Sequence, residues 1–371
     1  MANPVVITGG GTGGHIFPMQ AIGEQLLGLG LQGAEVRYVG SRRGQEVDLL
    51  GSGPIKLTVL PGRGLRRSAS LTAIGANLQA LVSLVGAVLI ALVRVGYWRP
   101  RVVVSVGGYA SVPVSLAAVF WRRPLVLVEL DAAPGASHRL VAHFAQRRCT
   151  VLPSSDPRCV VTGAPVRQAI LEVDRSSQGR SRARSNQSPP IEVDRAVVVV
   201  MTGSLGARSV NRAVLELVDR WSSRTDRTII HVTGRRDFDW ITEHAPATTG
   251  LDYRIVAFGD MADLWALCDA AVCRAGATTL AELTVLGIPA VLVPLPRAPG
   301  DHQTKNAVAL RDVGGAVVID DEAISGAQLA SALDDLLGER GSRVAQAARA
   351  VGHRDAARAI ADVVLALGVV R

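Results

Sequence analysis

The 371-residue sequence predicts an α/β fold: two Rossmann-like, doubly wound parallel-sheet domains facing each other across a cleft. Three observations carry this. Valine-rich runs alternate with longer apolar periodic segments through the first half of the chain. The second half opens as the first does, with a strand, a glycine loop and a helix. The length suits two domains at ~150 residues each. A hydrophobic share of 48 % against 19 % charged residues excludes disorder as the global state.

In chain order, strands are expected at Val5–Thr8, Val36–Val39, Val102–Val106 and Leu125–Val128, with helices at Met19–Leu29 and Ser137–Phe144. Ser176–Pro190 is polar, basic and turn-rich and reads as an exposed loop or linker. A strand at Ala196–Met201, a glycine loop at Thr202–Ala207 and a helix at Ser209–Trp221 restart the pattern. Further strands fall at Ile229–Val232, Tyr253–Ala257, Ala270–Cys273 and Ala290–Val293, and Ser342–Val370 reads as a helical tail. The expected division is a first domain over 1–162, a linker region over 163–195, a second domain over 196–345 and a tail over 346–371 that packs back on the first domain.

The formal net charge is +8 and the sequence pI about 10.0. Such a balance suits phosphates, an anionic membrane or nucleic acid, although scattered arginines alone would also produce it. Without a zinc-finger pattern, an RNP motif or an aromatic row, nucleic acid is not expected. Cys149, Cys159, Cys268 and Cys273 form no C-x-x-C, and no histidine cluster joins them, so a reduced chain without a metal site is expected. The N-terminus runs straight into Pro4-Val5-Val6-Ile7-Thr8, with no signal-peptide pattern.

Leu71–Val93 carries no charged residue. A helix packed on the sheet is the cheapest reading. A partly exposed helix touching a membrane comes second and a true span third. Arg63, Arg66 and Arg67 precede the stretch, and Arg94, Trp98, Arg99 and Arg101 follow it, as in an interfacial anchor.

Four segments carry residues suited to chemistry. Gly9-Gly10-Gly11-Thr12-Gly13-Gly14-His15 follows a strand and opens a helix, so its amides can approach a phosphate. His15 closes the loop and is either a base or a first-turn helix residue; a helix N-terminus favours its neutral form. Thr202–Ala207, with Ser204 in it and Asn211 beyond it, is either a second backbone cradle or a tight turn. Cys273–Glu282 places small residues, Thr278 and Thr279 at a strand end, where α/β sheets bind ligands. A carboxylate at Glu282 can accept two ribose hydroxyls, or merely compensate the helix dipole. Asp301-His302-Gln303-Thr304 clusters polar groups at a helix start, as sugar recognition requires. Asp237-Phe238-Asp239 has the D-x-D form of a metal motif, but its place at a helix start makes capping the cheaper explanation.

The glycine loop ending in His15, Gly107-Gly108-Tyr109, Gly163-Ala164-Pro165-Val166-Arg167, Thr202–Asn211, Cys273–Glu282 and Asp301–Ala307 occur in the order seen in the MurG family, and the chain resembles that family over roughly residues 4–365. The resemblance implies a GT-B hexosyltransferase that moves GlcNAc from UDP-GlcNAc to undecaprenyl-linked lipid I, giving lipid II for peptidoglycan. It implies a peripheral enzyme on the cytoplasmic face of an anionic cell membrane, with no cofactor. The acceptor diphosphate is expected near Gly10, Gly11, Thr12, Gly13 and Gly14, with His15 as base, Tyr109 and Asp131 nearby, and Glu129 as a secondary base candidate. The donor is expected at Thr12, Gly13, Gly14, Arg167, Ser204, Gly259, Thr278, Thr279, Glu282, Gln303 and Thr304, with the backbone of Phe258–Met261 reading uracil.

The chain departs from the family's usual His-Glu-Gln-Asn at Val128-Glu129-Leu130-Asp131, from Asn at Ala164 and from Ser at Ala275. The donor block is therefore better kept than the acceptor block. The rival expectations are a paralogue acting on another lipid or a secondary metabolite, an idle nucleotide-sugar binder, and an NADP oxidoreductase that uses Arg42 and Arg43.

Overall fold

The computed structural model describes residues 3–42, 44–61, 71–203 and 206–369. Ser204 lies outside them, as do Arg43, Arg63, Arg66 and Arg67. The chain forms two compact units. One runs to Gln168 and resumes at His353; the other is Ala169–Gly352.

The first unit is built on a seven-stranded parallel sheet: β1 (Val5–Thr8), β2 (Val36–Ser41), β3 (Lys56–Leu60), β4 (Val102–Ser105), β5 (Leu125–Val128), β6 (Arg147–Thr150) and β7 (Cys159–Val161). Their order is β3-β2-β1-β4-β5-β6-β7, and Val5 pairs with Val36 on one side and Val102 on the other. The strand order turns back at β1, so the loop after β1 opens at a topological switch point. Val5, Val6, Ile7, Val102, Val103, Val104 and Leu125–Val128 are buried, as expected for strands covered on both faces. The sequence signal misses β3, β6 and β7, which lie outside the central four strands and begin with Lys56, Arg147 and Cys159.

The second unit carries a six-stranded parallel sheet: β8 (Ala196–Met201), β9 (Arg227–Val232), β10 (Asp252–Val256), β11 (Ala270–Cys273), β12 (Ala290–Leu292) and β13 (Val317–Val318), in the order β10-β9-β8-β11-β12-β13. The Arg208–Arg220 helix lays Val210, Ala213, Val214, Leu217 and Val218 on this sheet, opposite Leu329 and Leu333 of another helix.

Three expectations change. The Ser176–Pro190 stretch is not merely a loop: Ser177–Ser185 is a helix in the second unit, N-capped by Ser176, whose hydroxyl accepts from Gly179 N–H at 3.0 Å. Its Arg184 is buried and donates to the Leu267 carbonyl and the Asp269 carboxylate. A polar composition misleads here because the arginines bond inward. The tail is two helices, Glu339–Ala350 and Ala356–Val369, and the break between them is where the chain passes from one unit to the other. A Cβ at Gly352 would overlap the Thr284 main chain. Ala356–Val369 packs on the Gly13–Gly28 helix through buried Ile360, Ala361 and Val364.

The third change concerns the uncharged stretch, which is a helix over Leu71–Trp98. Ala80, Ala87, Ala91 and Val95 are buried, the last three in one cluster with Val114, Ala117 and Ala118 of the Val112–Phe120 helix. The opposite side is apolar and exposed: Leu81, Val85, Leu89, Val93 and Tyr97 recur every four residues, with Val82 beside them. Phe120 and Trp121 of the neighbouring helix are exposed too and meet edge to face, with ring centroids 5.2 Å apart. Only 22 % of Ala80–Trp98 is buried, so this helix is not covered as a core helix would be.

Candidate functional site

The Gly9–Thr12 loop leaves β1 with Gly10 and Gly11 at positive φ, and Thr12 stands at the N-cap of Gly13–Gly28. Glu46 holds this loop: its Oε1 accepts from Gly11 N–H and Ser41 N–H, both at 2.9 Å, and the residue is fully buried. A Cβ at Gly10 would collide with that carboxylate, so position 10 needs glycine for space as well as for φ. Tyr109 lies against Gly11 and donates its hydroxyl to Ser41 Oγ at 3.0 Å. Gly107 and Gly108, also at positive φ, pass against the same loop, with position 108 beside the Gly10 carbonyl. The His15 ring stands over these two glycines: its Nε2 is 3.5 Å from where a Cβ on Gly107 would be, and its Nδ1 is 3.4 Å from one on Gly108. Gly10–Gly14, His15 and Tyr109 therefore form one cluster.

Behind His15 sits buried His138, with its Nε2 3.1 Å from Ser105 Oγ. Burial, reinforced by the nearby charge of His15, pushes its pKa down to about 3. Glu129 is also buried, and its Oε1 accepts from Arg148 at 2.8 Å (Nε) and 2.6 Å (Nη2). That ion pair gives Glu129 a structural partner and counts against it as a base. Arg167 belongs to the first unit, where its guanidinium stacks over Phe17 at 4.0 Å. It thus packs on the helix that the first glycine loop opens.

In the second unit every candidate follows the C-terminal end of a parallel strand. Gly203 and Gly206 after β8 and Gly234 after β9 have positive φ, and a Cβ at Gly234 would strike the Gly206 main chain. A network centred on fully buried Asn211, His231 and Asp237 supports this contact. Asn211 Nδ2 donates to the Asp237 carboxylate at 2.9 Å and to the Thr233 carbonyl at 3.1 Å. Asn211 Oδ1 lies 2.9 Å from His231 Nε2, and His231 Nδ1 lies 2.8 Å from the Tyr253 hydroxyl. An amide oxygen can only accept, so the His231 proton is on Nε2. Burial holds the His231 pKa down at about 3. Asp237 stands at the N-cap of Phe238–His244, but its carboxylate makes no capping bond there and instead bonds Asn211, Arg208 and Arg236. Burial raises its pKa, but the Arg236 hydrogen bond and the charges of Arg236 and Arg208 outweigh this and leave it low.

Glu282 lies in the second turn of Ala277–Leu286 and is buried, so dipole compensation at the helix start does not explain it. Its Oε2 accepts from Trp265 Nε1 at 2.8 Å, which fixes the carboxylate's direction. Thr278 and Thr279 occupy the first turn of that helix. Gln303 Oε1 accepts from Leu295 N–H at 2.9 Å, and Thr304 Oγ1 donates to Asp301 at 2.6 Å. Arg274 donates to the Val293 and Pro294 carbonyls and pairs with Asp321, tying the β12 loop to β11. Gly259 packs on Leu264 at the start of Met261–Leu267, the helix that carries Trp265. Glu46, Trp265 and Arg274 are supports that sequence reading misses, because nothing local marks their partners, and Asp237 is marked only as part of D-x-D, not by its bonds to Asn211 and Arg208.

Two parallel α/β units with glycine loops at the strand ends make a GT-B fold, and both halves match glycosyltransferase family 28 models, which makes the chain a glycosyltransferase: the N-terminal domain over residues 5–150 and the C-terminal domain over 197–363. The UDP-N-acetylglucosamine--N-acetylmuramyl-(pentapeptide) pyrophosphoryl-undecaprenol N-acetylglucosamine transferase of Salinibacter ruber is 36 % identical over 98 % of this chain and 96 % of its own length. The enzyme of the same name from Moorella thermoacetica is 35 % identical over 97 % and 98 %. The crystal structure of Acinetobacter baumannii MurG superposes with a TM-score of 0.73 at 25 % identity, covering 99 % of this chain and 100 % of that one. The chain belongs to the MurG family.

The two buried imidazoles make stability pH-dependent. Both have folded pKa values near 3, against about 6.5 in the unfolded chain. Folding therefore expels a proton from each between about pH 6.5 and 3, and stability falls as pH drops through that window. The expected slope is about 1.4 kcal/mol per pH unit per histidine. Denaturant midpoints between pH 7.5 and 5 measure it. His138→Asn and His231→Asn should each remove about one proton from the slope. Equal slopes for wild type and the double variant would contradict this assignment.

Proposed function

We propose that the protein transfers N-acetylglucosamine from UDP-N-acetylglucosamine to the 4-hydroxyl of the muramyl sugar in lipid I, inverting the anomeric centre and giving lipid II. The observation that carries this reading is the full-length kinship with enzymes of that name, held together with a supported glycine-loop site in each unit. Turnover of UDP-GlcNAc with a lipid I analogue is the direct test. The departures at Val128–Asp131, where Glu129 is paired with Arg148, favour as second reading a related acceptor, which the same assay with other polyprenyl diphosphate sugars would reveal.

In the first unit the acceptor diphosphate lies against the amides of Gly11–Gly14, where a helix N-terminus concentrates positive partial charge. Arg167, stacked on Phe17, faces the same anion. His15, over Gly107 and Gly108, takes the proton of the acceptor hydroxyl. In the second unit Glu282, aimed by Trp265, accepts from the ribose hydroxyls. The start of the Ala277–Leu286 helix, with Thr278 and Thr279, receives the diphosphate as the C1–O bond breaks. Ser204 belongs with that diphosphate. The backbone from Phe258 to Met261, including Gly259, reads uracil. With its Oε1 engaged by Leu295, Gln303 offers its NH2 to a sugar oxygen, and Thr304, donating to Asp301, accepts from a sugar hydroxyl. No metal or organic cofactor enters this scheme.

The enzyme works as a peripheral protein on the anionic cytoplasmic face of the membrane. The exposed Leu81–Tyr97 stripe, with Phe120 and Trp121 beside it and exposed Arg94, Arg99 and Arg122 around it, supplies apolar insertion and electrostatic attraction.

Glu282→Ala should weaken UDP-GlcNAc binding by on the order of 2–4 kcal/mol, because a charged acceptor for two hydroxyls is lost. Calorimetry that returned wild-type affinity would remove Glu282 from the ribose site. His15→Ala should lower kcat and kcat/KM together by about 10²–10⁴ and spare donor affinity. A rise confined to the acceptor KM would make His15 a diphosphate ligand instead. Leu89→Glu should cut sedimentation with phosphatidylglycerol vesicles while leaving UDP-GlcNAc affinity unchanged. Undiminished vesicle binding would put the membrane contact elsewhere.

A further inference from the structure

The second unit has a concavity of about 630 Å³ at the opposite edge of its sheet from the donor residues, where β8, β11 and β12 begin at Ala196, Ala270 and Ala290. Its lining includes Ala196, Asp269 and Pro289, together with Arg175, Arg180, Arg184, Arg195 and Arg349. Five guanidinium groups thus share one concavity with two carboxylates, Asp194 and Asp269. Asp269 is already committed: it accepts from Val197 N–H at 2.8 Å and pairs with Arg184 and Arg180. Arg195 is offset by Glu192 at 2.7 Å. Among the described residues no carboxylate pairs with Arg175 or Arg349, whose guanidinium groups donate to main-chain carbonyls: Trp265 and Cys268 for the first, Leu286 for the second.

These carbonyl bonds partly explain the arginines. Arg175 and Arg184 satisfy the last carbonyls of the Met261–Leu267 helix, where a positive charge also meets the negative end of the helix dipole. Capping does not account for the excess. Arg349 serves a second helix end, the Leu286 carbonyl of Ala277–Leu286, but Arg180 adds charge beside the already desolvated Arg175 guanidinium, and all five groups open on one concavity. The Arg175 Nε is buried without a hydrogen-bond partner, and burial holds its pKa below the ordinary value, with Arg180 and Arg184 adding to the repulsion. Like charges gathered in a concave, low-dielectric site are stabilised by an anion.

We propose that this arginine-lined concavity is a second anion site that binds a phosphate or diphosphate group, separate from the donor diphosphate position. Planar guanidinium groups bind phosphate oxygens through paired N–H donors, which is the chemistry Arg180 and Arg349 bring to the opening. The group comes either from a soluble phosphorylated molecule or from a lipid headgroup.

Calorimetric titration of the full chain with inorganic pyrophosphate, in the presence of saturating UDP, tests it. Binding that persists with UDP bound is expected, weakened on the order of tenfold or more in Arg180→Ala and in Arg349→Ala. UDP affinity should stay at the wild-type value in both variants. Absence of pyrophosphate binding under saturating UDP, unchanged binding in both variants, or a parallel loss of UDP affinity would overturn the proposal. Sedimentation with phosphatidylglycerol vesicles separates the two sources. Variants that lose pyrophosphate but still sediment point to a soluble ligand, and variants that lose both point to a headgroup.

Discussion

Close approach of two backbones at the carboxyl edge of each sheet is the constraint on which the rest depends. In the first unit the Gly9–Thr12 loop meets Gly107–Gly108; in the second the Gly203–Gly206 turn meets Gly234. A Cβ at Gly10 or Gly108 in the first, or at Gly206 or Gly234 in the second, would overlap its neighbours. Each is braced by a buried carboxylate: Glu46, 35 residues beyond Gly11, in one, and Asp237, three residues after Gly234, in the other. A buried carboxylate is costly unless it is bonded: Asp237 bonds an amide side chain and two arginines, whereas Glu46 bonds two main-chain amides through Oε1 and keeps Oε2 buried without a hydrogen bond among the described residues. The backbone on either side of each contact is thus fixed by the fold itself, so an anion bound there would have little ordering left to accomplish.

The fold was largely legible because parallel strands covered on both faces read as unbroken apolar runs. Val102–Val106 and Ala196–Met201 left little ambiguity. The reading failed where bonding outran composition. Arg147 and Arg148 hid β6, the strand next to the sheet edge, and the Ser177–Ser185 helix was disguised by Arg180 and Arg184, which turn inward to carbonyls and to Asp269. The Leu71–Trp98 helix is apolar on both faces, so no periodicity could say which face would be covered. Alanines at 80, 87 and 91 on the buried side mark the packed face only once the neighbouring helix is in place.

The candidate site divides the same way. Glycine loops and the residues within them are local features and were found. Glu46 lies 35 residues from the amide it holds at Gly11, and Trp265 lies 17 from Glu282. Such distances carry no pattern that a spacing rule detects. Arg167 was visible as a residue, yet only the structure groups it with Phe17. The Met261–Leu267 helix gathers several of these hidden relations. It starts beside Gly259, reaches Glu282 through its tryptophan, and ends on carbonyls held by Arg175 and Arg184.

The path of the chain has a consequence for biosynthesis. The first unit is interrupted by the whole of Ala169–Gly352 and closed by Ala356–Val369. A ribosome therefore releases the first sheet and its glycine loop long before the segment that covers the Gly13–Gly28 helix. Until that segment emerges, the helix bearing His15 keeps an uncovered apolar side where Ile360 and Val364 will pack, while the inserted second unit already has all of its own strands. Order of synthesis thus makes the amino-terminal site the later of the two to be completed, and leaves a nascent chain with one finished half and one waiting for its last helix.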